Sequence, residues 1–272
     1  MASISNISVG ANFAGNYAIK ARHDMNASIM RLSSGNRTMA GGDAAGASVG
    51  GTLLARAKSH YVGARNTEDG ISALLTSESA MHEIGALATR LRELGVQADN
   101  AAFQSTADIA AQTAEATMIF DAIFGIAAEV KFNSKALSGE AAKTFAIGTG
   151  IDAAANNLTI TTSIGMEESL SSFTTAVNAD VTADLVLADV AESLGNIAAG
   201  INALRGRQAV SYASASNLEA AAARILDTDY ARETASLTKN SVLNQSAMAM
   251  VAQANQAQSA ILAVLQLSLI HI

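Results

Sequence analysis

The sequence predicts a mainly α fold, in which long antiparallel helices form a coiled-coil rod and a small β-hairpin region lies near residues 132–180. Three observations predict it. Proline is absent from all 272 residues and aromatics make up only 4%, so no residue forbids helix outright and few bulky groups exist to fill a compact core. Apolar residues near both ends recur at alternating steps of three and four, the spacing of a heptad seam. Between residues 132 and 180 the period changes to short β-branched runs flanked by Gly and Asn.

The elements follow in order. Ile4, Ile7, Ala11, Ala14, Ala18, Ala21, Met25 and Leu32 make the first seam, interrupted at Ser28. Gly35 can end this helix in the left-handed conformation, a glycine-rich stretch follows, and Asp43 is placed to cap the next helix, so a break is expected across residues 33–43. The second helix is expected from about Ala44 past Asn100, with Ile84, Leu87, Leu91, Leu94 and Ala98 as its later stripe. The third runs from Thr106 to Val130 through Ile109, Thr113, Ala116, Phe120, Ile123 and Ala127.

FAIGTG and NNLTITTSIG then read as hairpin strands. After Asp184 a helical stripe resumes through Leu187, Val190, Leu194, Ile197, Ile201 and Leu204. It crosses a polar patch at Gln208 and Ser211 and continues to Ala215, Leu218, Ala222 and Ile225. The last seam carries Leu243, Ala247, Met250, Ala254, Ala257, Ile261 and Val264. A single apolar stripe is marginally stable alone, so the two terminal helices are expected to pair with each other or with other copies of the chain.

Composition excludes several function classes. A formal net charge of −7 supplies no general attraction to phosphate backbones or anionic membrane surfaces, so neither nucleic acid nor a membrane is expected as a partner. Cysteine is absent, which removes disulfides, thiolate nucleophiles and Cys-ligated metals. The first thirty residues hold no continuous apolar core, so no cleaved secretory signal is expected. The C-terminal ILAVLQLSLIHI falls well short of the ~20 apolar residues that span a bilayer.

No catalytic, cofactor-binding or metal-ligating set is expected, and no cofactor. Gly46-Ala47-Ser48-Val49-Gly50 matches the nucleophile-elbow pattern, but no strand precedes it. Gly148-Thr149-Gly150-Ile151-Asp152-Ala153 matches a dinucleotide fingerprint without the surrounding βαβ unit, and reads better as a hairpin turn. His23, His60, His82 and His271 are widely spaced, and Ala86 stands where a zinc-protease helix would need a second His after His82. Arg90, Arg92 and Glu93 read equally as a solvated face or as a charged assembly surface.

Several strings resemble one family. Leu32-Ser33-Ser34-Gly35-Asn36-Arg37 resembles the L-S-S/T-G-x-R segment of bacterial flagellins, and Asp43-Ala44-Ala45-Gly46 the D-D-A-A-G that follows it. Thr89 to Asn100, TRLRELGVQADN, is similar to the flagellin Q-R-x-R-E-L-x-V-Q-A-x-N. Phe132-Asn133-Ser134-Lys135-Ala136-Leu137 resembles F-N-G-x-x-L, and Phe145-Ala146-Ile147-Gly148 the strand F-Q-I/V-G. Asp227 to Glu233 resembles D-x-D-x-A-x-E, and Ala252-Gln253-Ala254-Asn255-Gln256 the near-terminal A-Q-A-N-Q. The sequence departs at Gly42, which replaces an acidic or Asn residue, at Gln258, which replaces a common Pro, and in the six residues after Gln266.

The resemblance implies a structural subunit of the flagellar filament that polymerises into an extracellular helical tube for motility. It implies an inner coiled-coil domain from residues 1–43 and 227–272, and an outer helical domain with a β-hairpin insertion from 44–226. The inner seam would comprise Ile4, Ile7, Ala11, Ala14, Ala18, Met25, Leu32, Leu243, Ala247, Met250, Ala254, Ile261 and Val264. Subunit contacts, and recognition by innate immune receptors of a host, would fall on Arg90, Leu91, Arg92, Glu93, Leu94, Val96, Gln97 and Asn100. Further implied partners are the flagellar export apparatus, an export chaperone, the filament cap and the hook-junction proteins, with export needing no cleaved signal. The competing expectations are a hook–filament junction protein, which forms a short ring, and a cytoplasmic coiled-coil signalling module, which forms a discrete dimer.

Overall fold

The computed structural model describes residues 2–39, 41–139, 141–150, 157–163 and 173–270, with side chains from Ser8 to Val264. Among these residues the α-helices are α1 (Ala2–Ser34), α2 (Ala44–Ala98), α3 (Thr106–Glu129), α4 (Ala179–Leu226) and α5 (Tyr230–Ile270). Strands β1 (Lys131–Phe132) and β2 (Lys135–Ala136) form one antiparallel pair, and β3 (Lys143–Gly148) and β4 (Asn157–Ser163) another. The chain is therefore mainly α with a small hairpin region, as the periodicity predicts. It divides into a terminal unit, residues 1–54 with 218–272, and a central unit, residues 55–217.

In the terminal unit α1 and α5 run antiparallel. Arg31 meets Glu233 at 3.5 Å, and further along both helices Asn244 Nδ2 donates to the Ala18 carbonyl at 2.8 Å. The contact is made largely by small side chains: Ala18, Ala21 and Ser28 are buried, and Ala11, Ala14, Met25 and Leu32 are half-buried. Ser28, the interruption in the seam, thus sits inside it. Ile4 and Ile7 belong to α1, but their side chains lie outside the described residues. On α5 the half-buried row is Asn244, Ala247, Val251, Ala254 and Ile261, whereas Leu243, Met250 and Val264 stay exposed. With alanines on both helices the spacing fits two adjacent rows equally well, and the hydrogen bond from Asn244 selects one of them.

The turns of this unit are made by specific residues. Gly35 adopts φ +67°, the left-handed conformation that only glycine enters without strain, and so ends α1. Asp43 Oδ1 accepts the Gly46 amide at 2.7 Å and caps α2. Asp229 Oδ1 accepts the Arg232 amide at 3.1 Å and caps α5.

The central unit has a continuous core. Leu74, Met81, Ile84, Leu91 and Leu94 of α2 are fully buried with Ala116, Ile123 and Ala127 of α3 and Val186, Ile197 and Leu204 of α4. Of the stripes read from the sequence, Ile84, Leu91, Leu94 and Ala98 of α2, Ala116, Ile123 and Ala127 of α3 and Val190, Ile197, Ile201 and Leu204 of α4 are buried, whereas Leu87, Phe120, Leu187 and Leu194 are half-buried. Phe120 stacks on Phe173 at 4.8 Å between ring centroids. By length and composition alone α3 is apolar enough to cross a membrane, yet Ala116, Ile123 and Ala127 are core residues.

Helix α2 ends at Ala98 rather than continuing past Asn100. The chain turns through Asp99 and Asn100 into a short 3-10 segment, Ala101–Phe103, and restarts at a capping box in which Ser105 and Asp108 satisfy each other's backbone amides. Asn, Asp and Ser compete for backbone hydrogen bonds and so favour this turn over helix.

The β1–β2 link places Asn133 at φ 48° and Ser134 at φ 65°, a two-residue turn of the kind whose twist suits a hairpin. Strands β3 and β4 pair from Lys143↔Ser163 to Gly148↔Asn157, with a bulge after Lys143. Buried hydroxyls pin both hairpins: Ser77 Oγ donates to the Thr162 carbonyl at 2.6 Å, Thr162 Oγ1 to Leu137 at 2.6 Å and Ser138 Oγ to Ala127 at 2.7 Å.

Candidate assembly surfaces

The first surface is the last three turns of α2. Leu91 and Leu94 are buried in the central core, so neither can face a partner while the unit is folded. The exposed members of the expected set are Arg90, Arg92, Glu93, Val96, Gln97 and Asn100. Arg90 reaches Glu115 of α3 at 2.7 Å and Glu93 at 3.0 Å, and those carboxylates raise its pKa further, Glu115 first. Arg92 reaches Asp184 of α4 at 2.6 Å. The two arginines therefore span from α2 to its neighbours on either side, tying the charged face to a rigid frame even though exposed pairs add little stability.

Gly95, three residues after Arg92, is buried. A Cβ there would run into the backbone of Asp180, so glycine lets α4 start hard against α2. This close approach holds Asp184 within reach of Arg92.

The second surface lies on the terminal unit. Phe13 is 61% exposed, Tyr17 66% and Met250 62%, with Val9, Ile19, Leu243 and Val264 also open. Tyr17, Leu243 and Met250 line a shallow groove between α1 and α5 with Ala14, Ala21 and Ala247. Helices that meet largely through small side chains leave Phe13, Tyr17 and Met250 in water. Such rows mark a surface meant to be covered.

Sequence reasoning noticed Arg37 only as part of a motif. Its guanidinium donates to the Ile225 carbonyl at 3.1 and 2.9 Å, at the C-terminal end of α4, and to Asp43 Oδ2 at 2.9 Å. The cation thus satisfies a helix-end carbonyl and braces the residue that caps α2. Beside it Arg37 N donates to Leu226 O at 2.6 Å, and Thr228 N to Gly35 O at 2.9 Å. The Gly46 amide and then Arg37 hold the Asp43 carboxyl below its ordinary pKa. Nothing local in the sequence announces a partner 188 residues away.

The nucleophile-elbow string finds no supporting geometry. Gly46 to Gly50 lies within continuous α2, where no strand-turn-helix elbow exists. Gly148 closes β3, and residues 151–156 lie outside the described set. His23 and His82 are exposed, His60 is half-buried, and His271 lies outside the described residues.

Comparison with known proteins settles the family. Residues 6–142 match the family model described as the bacterial flagellin N-terminal helical region, and residues 205–265 the bacterial flagellin C-terminal helical region. The flagellin of Halalkalibacterium halodurans is 31% identical over 245 residues, covering 87% of this chain and 90% of its own length. The chain belongs to the bacterial flagellins. The flagellin of Bacillus subtilis is 32% identical over 279 residues, covering 87% of this chain and 91% of that protein. The crystal structure of Bacillus cereus flagellin aligns with 57% of this chain and 88% of its own, at 21% identity and a TM-score of 0.39, too loose a match to carry an argument.

This flagellin is accordingly a structural subunit of the bacterial flagellar filament, and it polymerises with copies of itself into a helical assembly that serves motility.

Proposed function

We propose that residues 1–43 and 227–272 form the inner coiled-coil domain of the filament, and residues 44–226 an outer helical domain whose α2 face makes axial contacts between subunits. The observation that carries this reading is the unequal burial of the terminal helices: α1 and α5 meet largely through small side chains while Phe13, Tyr17 and Met250 remain more than half exposed. Supercoiling against other copies would cover them and complete seams that one subunit leaves half empty. On the outer domain the contact set is Arg90, Arg92, Glu93, Val96, Gln97 and Asn100, with Leu91 and Leu94 supporting it from beneath.

The same exposed α2 face is the surface a host innate immune receptor would read. The reading extends to the flagellar export apparatus, an export chaperone, the filament cap and the hook-junction proteins as partners, and to secretion without a cleaved signal peptide, with membership of the flagellin family as its support. Deleting residues 1–32 tests the inner coil. The expected result is a helical, soluble remainder that forms no filaments by electron microscopy; long filaments from the truncated chain would defeat the assignment. For the receptor, a cell reporter assay with purified monomer should respond and should weaken on Gln97→Ala, and silence toward the parent chain removes the claim.

A further inference from the structure

We propose that Phe103 is a knob that enters the groove between α2 and the β-hairpins of the next copy of this chain. The inference deepens the axial reading above and rests on it.

Phe103 is 88% exposed, the most exposed large apolar side chain among the described residues. It does not hang on a loose loop. The Phe103 amide donates to Asn100 O at 3.1 Å, Gln104 Nε2 to Gln97 O at 2.7 Å, and the Ser105–Asp108 capping box follows at once. The backbone that carries the ring is thus held in place, so docking would cost only the side chain's own rotamer freedom.

A fitting pocket exists in the same unit. An open groove of about 370 Å³ is lined by Ala73 of α2, Phe132 of β1, Phe145 and Ile147 of β3, and Ile160 of β4. The chain cannot fill its own groove. Gly70, which also lines it, and the end of α2 at Ala98 are separated along one helix by roughly 40 Å at about 1.5 Å per residue. A knob and a hole at different places on one molecule make a heterologous contact, which repeats head to tail and gives an open helix whenever the rotation between copies does not close a ring. This is the geometry an open filament requires.

Charge selects the occupant. Asp99 and Asp108 flank the knob, whereas Lys135 lines the groove and Lys131 stands on the paired strand, with Asp69 as the acidic member of the lining. Ser105 holds the Asp108 carboxyl below its ordinary pKa. An acidic-flanked ring meeting a lysine-edged apolar groove describes a second copy of this chain better than a free apolar ligand.

The absence of cysteine makes the contact directly measurable. Phe103→Cys with Lys135→Cys introduces two thiols too far apart to join within one subunit. Filaments of that variant, oxidised and run without reductant, should give a ladder of covalent oligomers, and dilute monomer under the same oxidant should give none. Phe103→Ala should raise the critical concentration for assembly roughly tenfold while leaving monomer melting unchanged.

Filaments that form but run as monomers would overturn the proposal, and so would an unchanged critical concentration in Phe103→Ala. Loss of assembly in Phe103→Cys alone, with Lys135→Cys assembling normally, would support it. A Gln97→Cys and Lys135→Cys pair separates two failures. Links there without links from position 103 keep the axial face and remove the knob, and links at neither position remove both.

Discussion

The terminal and central units are built from the same residue types at the same spacing, yet they hide different fractions of them. In the central unit leucines and isoleucines from three helices vanish into one core, with hydroxyls such as Ser77 spent on holding hairpins in place. In the terminal unit the fully buried residues of the two helices' contact are alanine and serine, and large apolar groups such as Phe13, Tyr17 and Met250 face outward. The difference teaches that a heptad pattern states how a helix can pack, while side-chain size states how much of that packing one molecule can complete alone.

Substitutions can break this comparison, beginning with the largest effect. Leu94→Ala should destabilise the central unit by about 2–5 kcal/mol, because a fully buried side chain leaves a cavity in a packed core. Thermal melting of the monomer reads it directly, and an unchanged melt would remove Leu94 from the core. Ser77→Ala should cost about 1–3 kcal/mol by leaving the buried Thr162 carbonyl without its donor. A melt that moves less than Leu94→Ala but clearly below the parent is the expected result.

Tyr17→Ser is the opposite case. The side chain is 66% exposed, so monomer stability should shift by no more than about 0.5 kcal/mol, whereas assembly followed by sedimentation should fail. A large loss of monomer stability with assembly intact would reverse the roles assigned to the two units.

The smallest effect is a pH dependence. Asp43 and Asp108 both have folded pKa values below the ordinary carboxylate value, the first through the Gly46 amide and Arg37, the second through Ser105. A lowered folded pKa contributes stability above the unfolded value of about 3.9, and that contribution fades as the pH falls through the folded one. Melting temperature should therefore drop below about pH 4, and less steeply in Asp43→Asn with Asp108→Asn. Parallel pH profiles for parent and variant would exclude these two caps as the source.

Much of this was legible in the sequence, for reasons that differ by residue. Gly35 and Asp43 announced a helix stop and a helix start because turn chemistry is local. The Leu91–Leu94 stripe was legible because a leucine row on an otherwise charged helix has one sensible face. The α5 row was not. Where both helices offer alanine, small residues fit in either of two rows, and only the Asn244 to Ala18 bond distinguishes them. Leu91 and Leu94 of the contact string point into the core, which the string alone does not reveal, since it does not say which of its members face inward. Arg37 and Ile225 share no local signal, and their pairing becomes visible only when the chain is folded.

That pairing also sets an order of events. A chain made N-terminus first presents Arg37 and the Gly35 carbonyl long before Ile225 and Thr228 exist to meet them, and the loop to be closed spans 188 residues. The terminal unit therefore cannot latch until nearly the whole polypeptide has emerged. Whatever stage the central helices have reached, Arg37 and the Gly35 carbonyl have no partners to close on until the last fifth of the chain arrives.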